Sequence, residues 1–409
     1  MNGDDADATA TSPAANAGDG FDPIAFLETA VQYPSHEDVE PMRGFLRETL
    51  ESRGVEARVD EAGNVVATRG PADAETHVVL NTHIDTVSPH VPFERDATGP
   101  VAGDADAGAD ADSDFGSADG AADDVIRGRG SCDAKGPLAA LLAAFFAVEP
   151  TDGRVTLAIT PDEEVLSIGA YELVTGENSP TRDADAVIVG EPTDLDVCTA
   201  AKGRFQGTIH LEGANAHAAE PETGSNAVAA LESVLSAIRT FDERDDAPPA
   251  HPQLGAATLT PTVVEGGAAT NQVPADCALT VDRRSVPPET ADEFHAALTD
   301  RLARAVPDDV GVDFRFTDRP TPFLEAWDTD PDAEIVEILS SASGGAVRPF
   351  TAATEASYFA ADAPTVVFGP GVLADETGAV AHAPREYVRV EQVRKAASAL
   401  EETLRTLVE

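Results

Sequence analysis

"HVVLNTHIDTV" (residues 77–87) is an apolar run that stops at a histidine and an aspartate two apart, His83 and Asp85. The same pattern recurs along the chain. "RVTLAITPDEEVLSIGA" (154–170) is an apolar strand ending in three acids, "DAVIVGEPTD" (185–194) ends at Glu191, and "APTVVFGPG" (363–371) is followed by "AVAHAPREYV". Continuous rather than alternating apolar strands are those buried on both faces. Interleaved with helical stretches such as 37–54 and 125–148, they predict an α/β domain with a mostly parallel sheet covered by helices. Open sheets of this kind place their sites just beyond the carboxyl ends of the strands, where His83, Asp85, Asp133, Glu163, Glu164 and Glu191 all fall.

Between these segments the period changes. "FQGTIHLEG" (205–213) alternates like a half-buried strand, 223–241 has helical spacing, two strands follow, 288–306 is again helical, and "GVDFRFTDR" (311–319) is a strand. The order β-α-β-β-α-β is ferredoxin-like. It predicts an inserted α+β domain over 200–318, interrupting a first domain made of 21–199 and 319–409. Residues 1–20 read as an acidic tail, and 96–124 as an acidic low-complexity loop insertion with no assigned role.

The chain of 409 residues has 74 acidic against 27 basic residues, a formal charge of −47. Only Lys135, Lys202 and Lys395 are lysines, so the other basic residues are all arginine. Excess carboxylate with little lysine suits a surface kept hydrated in concentrated salt, where the Debye length falls to about 3 Å at 1 M and self-repulsion is muted. A halophile's protein is expected, and nucleic acid is excluded as a partner. The expected outcome is a melting temperature that rises with KCl; a circular dichroism melt insensitive to KCl would overturn the reading. No stretch has the roughly 18 uninterrupted apolar residues of a membrane span, and the start of the chain lacks a signal-peptide profile, so no membrane association and a cytoplasmic location are expected. Cys132, Cys198 and Cys277 are too few and scattered for a disulfide framework or a thiolate metal knuckle.

Taken singly, the polar residues at the strand ends have ordinary explanations. His83 could be a polar strand end, Asp133 a helix cap, and "DEE" (162–164) first-turn acids facing a helix dipole. Taken together, so many carboxylates with two histidines at one sheet edge would repel one another unless cations sat among them. Imidazole and carboxylate are zinc ligands, and a shared carboxylate is what a pair of ions requires. Asp85 is placed to accept the second N–H of His83, as carboxylates commonly do behind metal-bound histidines.

These motifs also carry a resemblance. "HID", "GRGSCDAKG", "PDEE", "GEPT" and "AHAPRE", in that order, resemble the zinc-dependent deacylase and peptidase family that includes acetylornithine deacetylase, succinyl-diaminopimelate desuccinylase, aminoacylase-1 and glutamate carboxypeptidase. The resemblance implies two zinc ions bridged by Asp133, one completed by His83 and Glu191 and the other by Glu164 and His382, with Glu163 as general base and Asp85 behind His83. Cobalt or manganese would fit the same ligand set. It further implies that 21–199 with 319–409 is the catalytic domain and the inserted 200–318 a lid or dimerisation domain, and that His217, in "GANAHAAEPETGSNAV", reaches the active site of a partner in a homodimer. Asn271 and Arg284, in "NQVPADCALTVDRR", would bind the substrate carboxylate, with Arg283 as the structural member of the pair because adjacent strand residues face opposite ways. Thr354 and Glu355 would lie at the substrate. Ile84 and Leu166 depart from the family's usual threonine and small residue, without removing a ligand.

The expected substrate is an N-acyl amino acid, acetyl or succinyl, or a short peptide if the same site serves a dipeptidase or carboxypeptidase. A catalytically dead metal-binding scaffold would show a lost ligand or a missing Glu163, and all of these are present.

Overall fold

The computed structural model describes residues 20–96, 124–177 and 179–409. Most of the 1–20 tail and nearly all of the 96–124 insertion therefore lie outside the described residues.

A nine-stranded sheet forms the larger body. Its four central strands, Gly153–Thr160, Thr76–His83, Ala186–Val189 and Thr365–Val367, lie side by side and run parallel. Val65–Arg69 and Ala57–Val59 extend one edge antiparallel. Alternate residues of the central strands enter two cores. Val78, Leu80, Leu157 and Ile188 pack under Pro23–Ala30, Lys135–Ala147, Glu334–Ser343 and Val390–Val408. Val79, Ala158, Val187 and Val189 pack on the opposite face under Ile168–Thr175 and Ala356–Phe359. Burial on both faces is why these strands read as unbroken apolar runs. The helix Lys135–Ala147 is buried along most of its length, which accounts for its uniformly apolar sequence. Pro137 is the third residue of this helix, within the first turn where a missing N–H is tolerated.

The smaller body is a four-stranded antiparallel sheet in the order Thr258–Gly266, Asp276–Arg284, Phe205–Glu212, Gly311–Phe316. In order of sequence these strands sit 2-3-1-4, the ferredoxin-like arrangement. Ile209, Leu211, Leu279 and Val281 form its core with Ala227–Arg239 and Ala291–Ala305. The chain leaves the large sheet after Ala201 and returns at Trp327, and these two residues are paired with each other. Among the described residues no helix is long and apolar enough to cross a membrane.

Candidate metal centre and cleft

His83 is the last residue of the strand Thr76–His83, and Glu191 follows Ala186–Val189 by two residues. Parallel pairing of those strands aligns their carboxyl ends. Asp133 ends a glycine-rich turn in which Gly128 and Gly130 have φ of +134° and +83°. A side chain would be strained there, and a Cβ at Gly128 would also meet Val31 at 2.4 Å.

His83, Asp133 and Glu191 can each offer one ligand atom within 4.8 Å of the others, and so can Asp133, Glu164 and His382. Asp133 is common to both groups. Its Oδ1 lies 3.2 Å from His83 Nε2, and its Oδ2 lies 3.2 Å from His382 Nε2. Glu164 Oε1 is 3.0 Å from His382 Nε2, and Glu191 Oε1 is 3.9 Å from His83 Nε2. Glu163 belongs to neither group but lines the same cleft.

Asp85 does more than its spacing from His83 suggested. Its backbone carbonyl is 3.0 Å from His83 Nδ1 and its Oδ1 3.3 Å. Its two carboxylate oxygens also accept the backbone N–H groups of Glu163 and Glu164, both at 3.1 Å. One side chain thus orients a histidine and the turn carrying two glutamates. Asp162 accepts the N–H groups of Ile168 and Gly169 and so caps the following helix.

The electrostatics mark a place for positive charge. Burial, reinforced by Glu191, holds the Glu163 carboxyl well above the ordinary carboxylate range, and burial with Asp133 does the same to Glu191. Hydrogen bonds to Asp133 and Glu164 push His382 up to about 10. Burial opposes the charge on His83, but its hydrogen bonds to Asp133 and Asp85 outweigh that and raise it well above 6.5. Each group of three offers imidazole and carboxylate, and, against the effect of burial, His382 and His83 hold the shared Asp133 carboxyl below the ordinary range while Glu163 and Glu191 are raised. A pair of divalent cations sharing Asp133 fits this donor set.

The cluster opens into a cleft of about 830 Å³ between the two bodies. Its large-sheet wall carries Asp133, Glu163, Glu164, Glu191 and His382, the opposite wall carries Arg204 and Arg284, and Arg319, which donates to the Leu166 carbonyl, lines the cleft as well. Arg284 is partly exposed and held by Asp282 at 2.8 Å. Arg283, one residue earlier, is fully buried and bound to Glu289 and Asp242. Thr354 and Glu355 do not line this cleft. The Thr354 hydroxyl donates to Glu191 Oε1 at 3.3 Å, and Glu355 is fully buried, accepts from Thr160 at 2.7 Å, and is pushed by burial up to about 7. Both stand behind the cluster, where the resemblance placed them at the substrate. His217 and Asn271 are exposed, lie together beside the short ladder Ala216–His217 with Gln272–Val273, and are outside the cleft of their own chain. Lys135 is buried and donates to the Tyr33 carbonyl at 2.7 Å, while Lys202 donates to that of Ala256.

The profile of peptidase family M20/M25/M40 matches residues 79–406, from the strand that carries His83 to the last helix. The chain belongs to this family. M20 members are hydrolases acting on amide bonds, and so is this chain. It is 32% identical over 277 residues to a putative [LysW]-lysine/[LysW]-ornithine hydrolase of Pyrobaculum aerophilum, covering 67% of this chain and 68% of that one. It is 32% identical over 284 residues to an acetylornithine deacetylase of Myxococcus xanthus, covering 66% and 70%. The crystal structure of a dinuclear metal-binding M20 peptidase of Bacillus subtilis superimposes with a TM-score of 0.66, covering 94% of this chain and 97% of that one at 14% identity. The M20 fold is thus common to enzymes named for different substrates.

Proposed function

We propose that the chain is a two-metal amidohydrolase that removes an acyl group, acetyl or succinyl, from an N-acyl amino acid. The observation that carries this reading is the single Asp133 carboxylate shared by two ligand groups, with the unliganded Glu163 beside it in the cleft. His83, Asp133 and Glu191 would hold one ion and Asp133, Glu164 and His382 the other, zinc by its preference for this donor set, with cobalt or manganese also compatible. When bound, the ions polarise the scissile carbonyl and acidify water.

The chain's own groups do the rest. Glu163 takes the proton of the attacking water and returns it to the departing amine nitrogen. Asp85 keeps His83 and the Glu163–Glu164 turn in place, and Thr354 steadies Glu191. Arg284 binds the amino-acid carboxylate through its planar fork. Arg204 and Arg319 line the cleft as well, so three guanidiniums face it against Asp282, which pairs with Arg204 and Arg284, and Asp318, and this balance supports an anionic substrate. His217 and Asn271, away from their own cleft, would serve the cleft of a second copy in a homodimer. The strand Thr258–Gly266 supports such pairing: it is one of the two edge strands of its sheet, and Val263 and Val264 are exposed on it.

The test is hydrolysis in molar KCl with added zinc or cobalt and chelator controls. The panel is N-acetylornithine, N-acetyllysine, N-succinyl-diaminopimelate and several dipeptides. One acyl amino acid should be cleaved far faster than the rest, and only with metal. Preference for a dipeptide would replace the deacylase reading with a peptidase one.

A further inference from the structure

Behind the ligand cluster lies an ion pair that touches neither the cleft nor a ligand side chain. Arg129 and Glu386 are each 1% exposed, and Arg129 Nη1 donates to Glu386 Oε2 at 2.6 Å. The other oxygen of Glu386 accepts two backbone N–H groups, those of Cys132 and Asp133, both at 3.2 Å. Arg129 in turn donates to the carbonyls of His382 and Ala383, each at 3.4 Å, and to that of Pro89 at 3.1 Å. The backbone of Asp133 and the backbone of His382 are therefore fastened to opposite ends of one ion pair. His382 needs fastening, because it is a non-glycine residue at φ +62°, a conformation that persists only where its surroundings impose it.

We propose that Arg129 and Glu386 are the positioning pair of the metal centre, setting the separation of Asp133 and His382 through their main chains and so the geometry of the ion those two residues share. The inference rests on the two-metal reading above. A buried ion pair is a poor source of stability, since the desolvation of two charges offsets their attraction. What this one supplies is local placement. The ladder of Val125–Arg127 with Tyr387–Arg389 and the Gly128 N–H bonded to the Glu386 carbonyl bring the turn 128–133 beside the loop 382–386, but neither contact includes Asp133 or His382, whose main chains are joined through the ion pair. Neither Arg129 nor Glu386 lines the cleft, so they act through the ligands and not on substrate.

The test uses the full chain in molar KCl, cobalt as the probe, and two variants, Glu386→Gln and Arg129→Lys. Glu386→Gln keeps the volume and one acceptor oxygen but loses the charge; Arg129→Lys keeps the charge but cannot span two carbonyls and a carboxylate. Calorimetric cobalt affinity, the visible absorption of the bound cobalt, and melting of the metal-free chain are measured together. Both variants are expected to bind at least one cobalt ion about 10–100-fold more weakly than wild type, the usual consequence of losing a group that orients a ligand, with shifted absorption bands. Wild-type affinity and spectrum in either folded variant would overturn the inference, even if the metal-free chain melted lower, because the pair would then only hold two loops together. If Glu386→Gln does not fold, Arg129→Lys decides alone. A wild-type chain that bound no cobalt would overturn the two-metal reading itself, and the positioning role with it.

Discussion

Glu163→Ala is expected to bind metal as wild type does and to turn over about 10²–10⁴-fold more slowly, the range that a positioned proton-transfer group contributes. The two halves of that expectation come from different observations. Metal should stay because Glu163 is in neither ligand group, and the turn that carries it is held through main-chain N–H groups that the substitution leaves intact. Turnover should fall because Glu163 is the unliganded acid that the Asp162–Glu164 turn presents to the cleft, while Asp162 is engaged in capping a helix and Glu355 is buried behind the cluster. Metal analysis beside steady-state kinetics checks both. Loss of metal would show that Glu163 is a ligand and that the base lies elsewhere. The same variant tests the homodimer: mixed with His217→Ala chains, it should recover activity through hybrid sites, and no recovery would count against His217 acting across subunits.

Asp133→Ala is expected to abolish binding of both metals. Removing Asp133 leaves His83 with Glu191 on one side and Glu164 with His382 on the other, two protein donors each, below the three that catalytic sites of this ligand type provide. Affinity should fall by more than about 100-fold, beyond what losing a merely orienting group produces, and activity should drop to background. Metal content after dialysis and the panel assay are the measurements. One ion retained at wild-type affinity would mean that the two groups do not depend on a shared carboxylate.

The strand-end acids and His83 were legible in the sequence because each follows a continuous apolar run, and a strand buried on both faces makes its first polar residues conspicuous. The parity argument at Arg283 and Arg284 was equally readable: alternation along Asp276–Arg284 turns Arg283 inward onto the buried Glu289 and Arg284 toward the cleft. Motif membership did less well where depth matters. Thr354 and Glu355 are in the loop expected to meet substrate, but their side chains turn back toward Glu191 and Thr160, and a loop has no period from which to read that. Arg129 and Glu386 stood in two of the quoted motifs without a role. Their partnership joins positions 257 residues apart, and only the folded chain brings them together.

The pairing of Ala201 with Trp327 bears on how such an interrupted sheet can form at all. Closing a long flexible segment to bring two strands together carries an entropic penalty that grows with its length. If the smaller sheet forms first, it removes most of that penalty, since its first strand, Phe205–Glu212, and its last, Gly311–Phe316, are neighbours in it. Once that local unit exists, the outer strands of the larger sheet are already close. The interruption then behaves, for the kinetics of assembly, as a short connection.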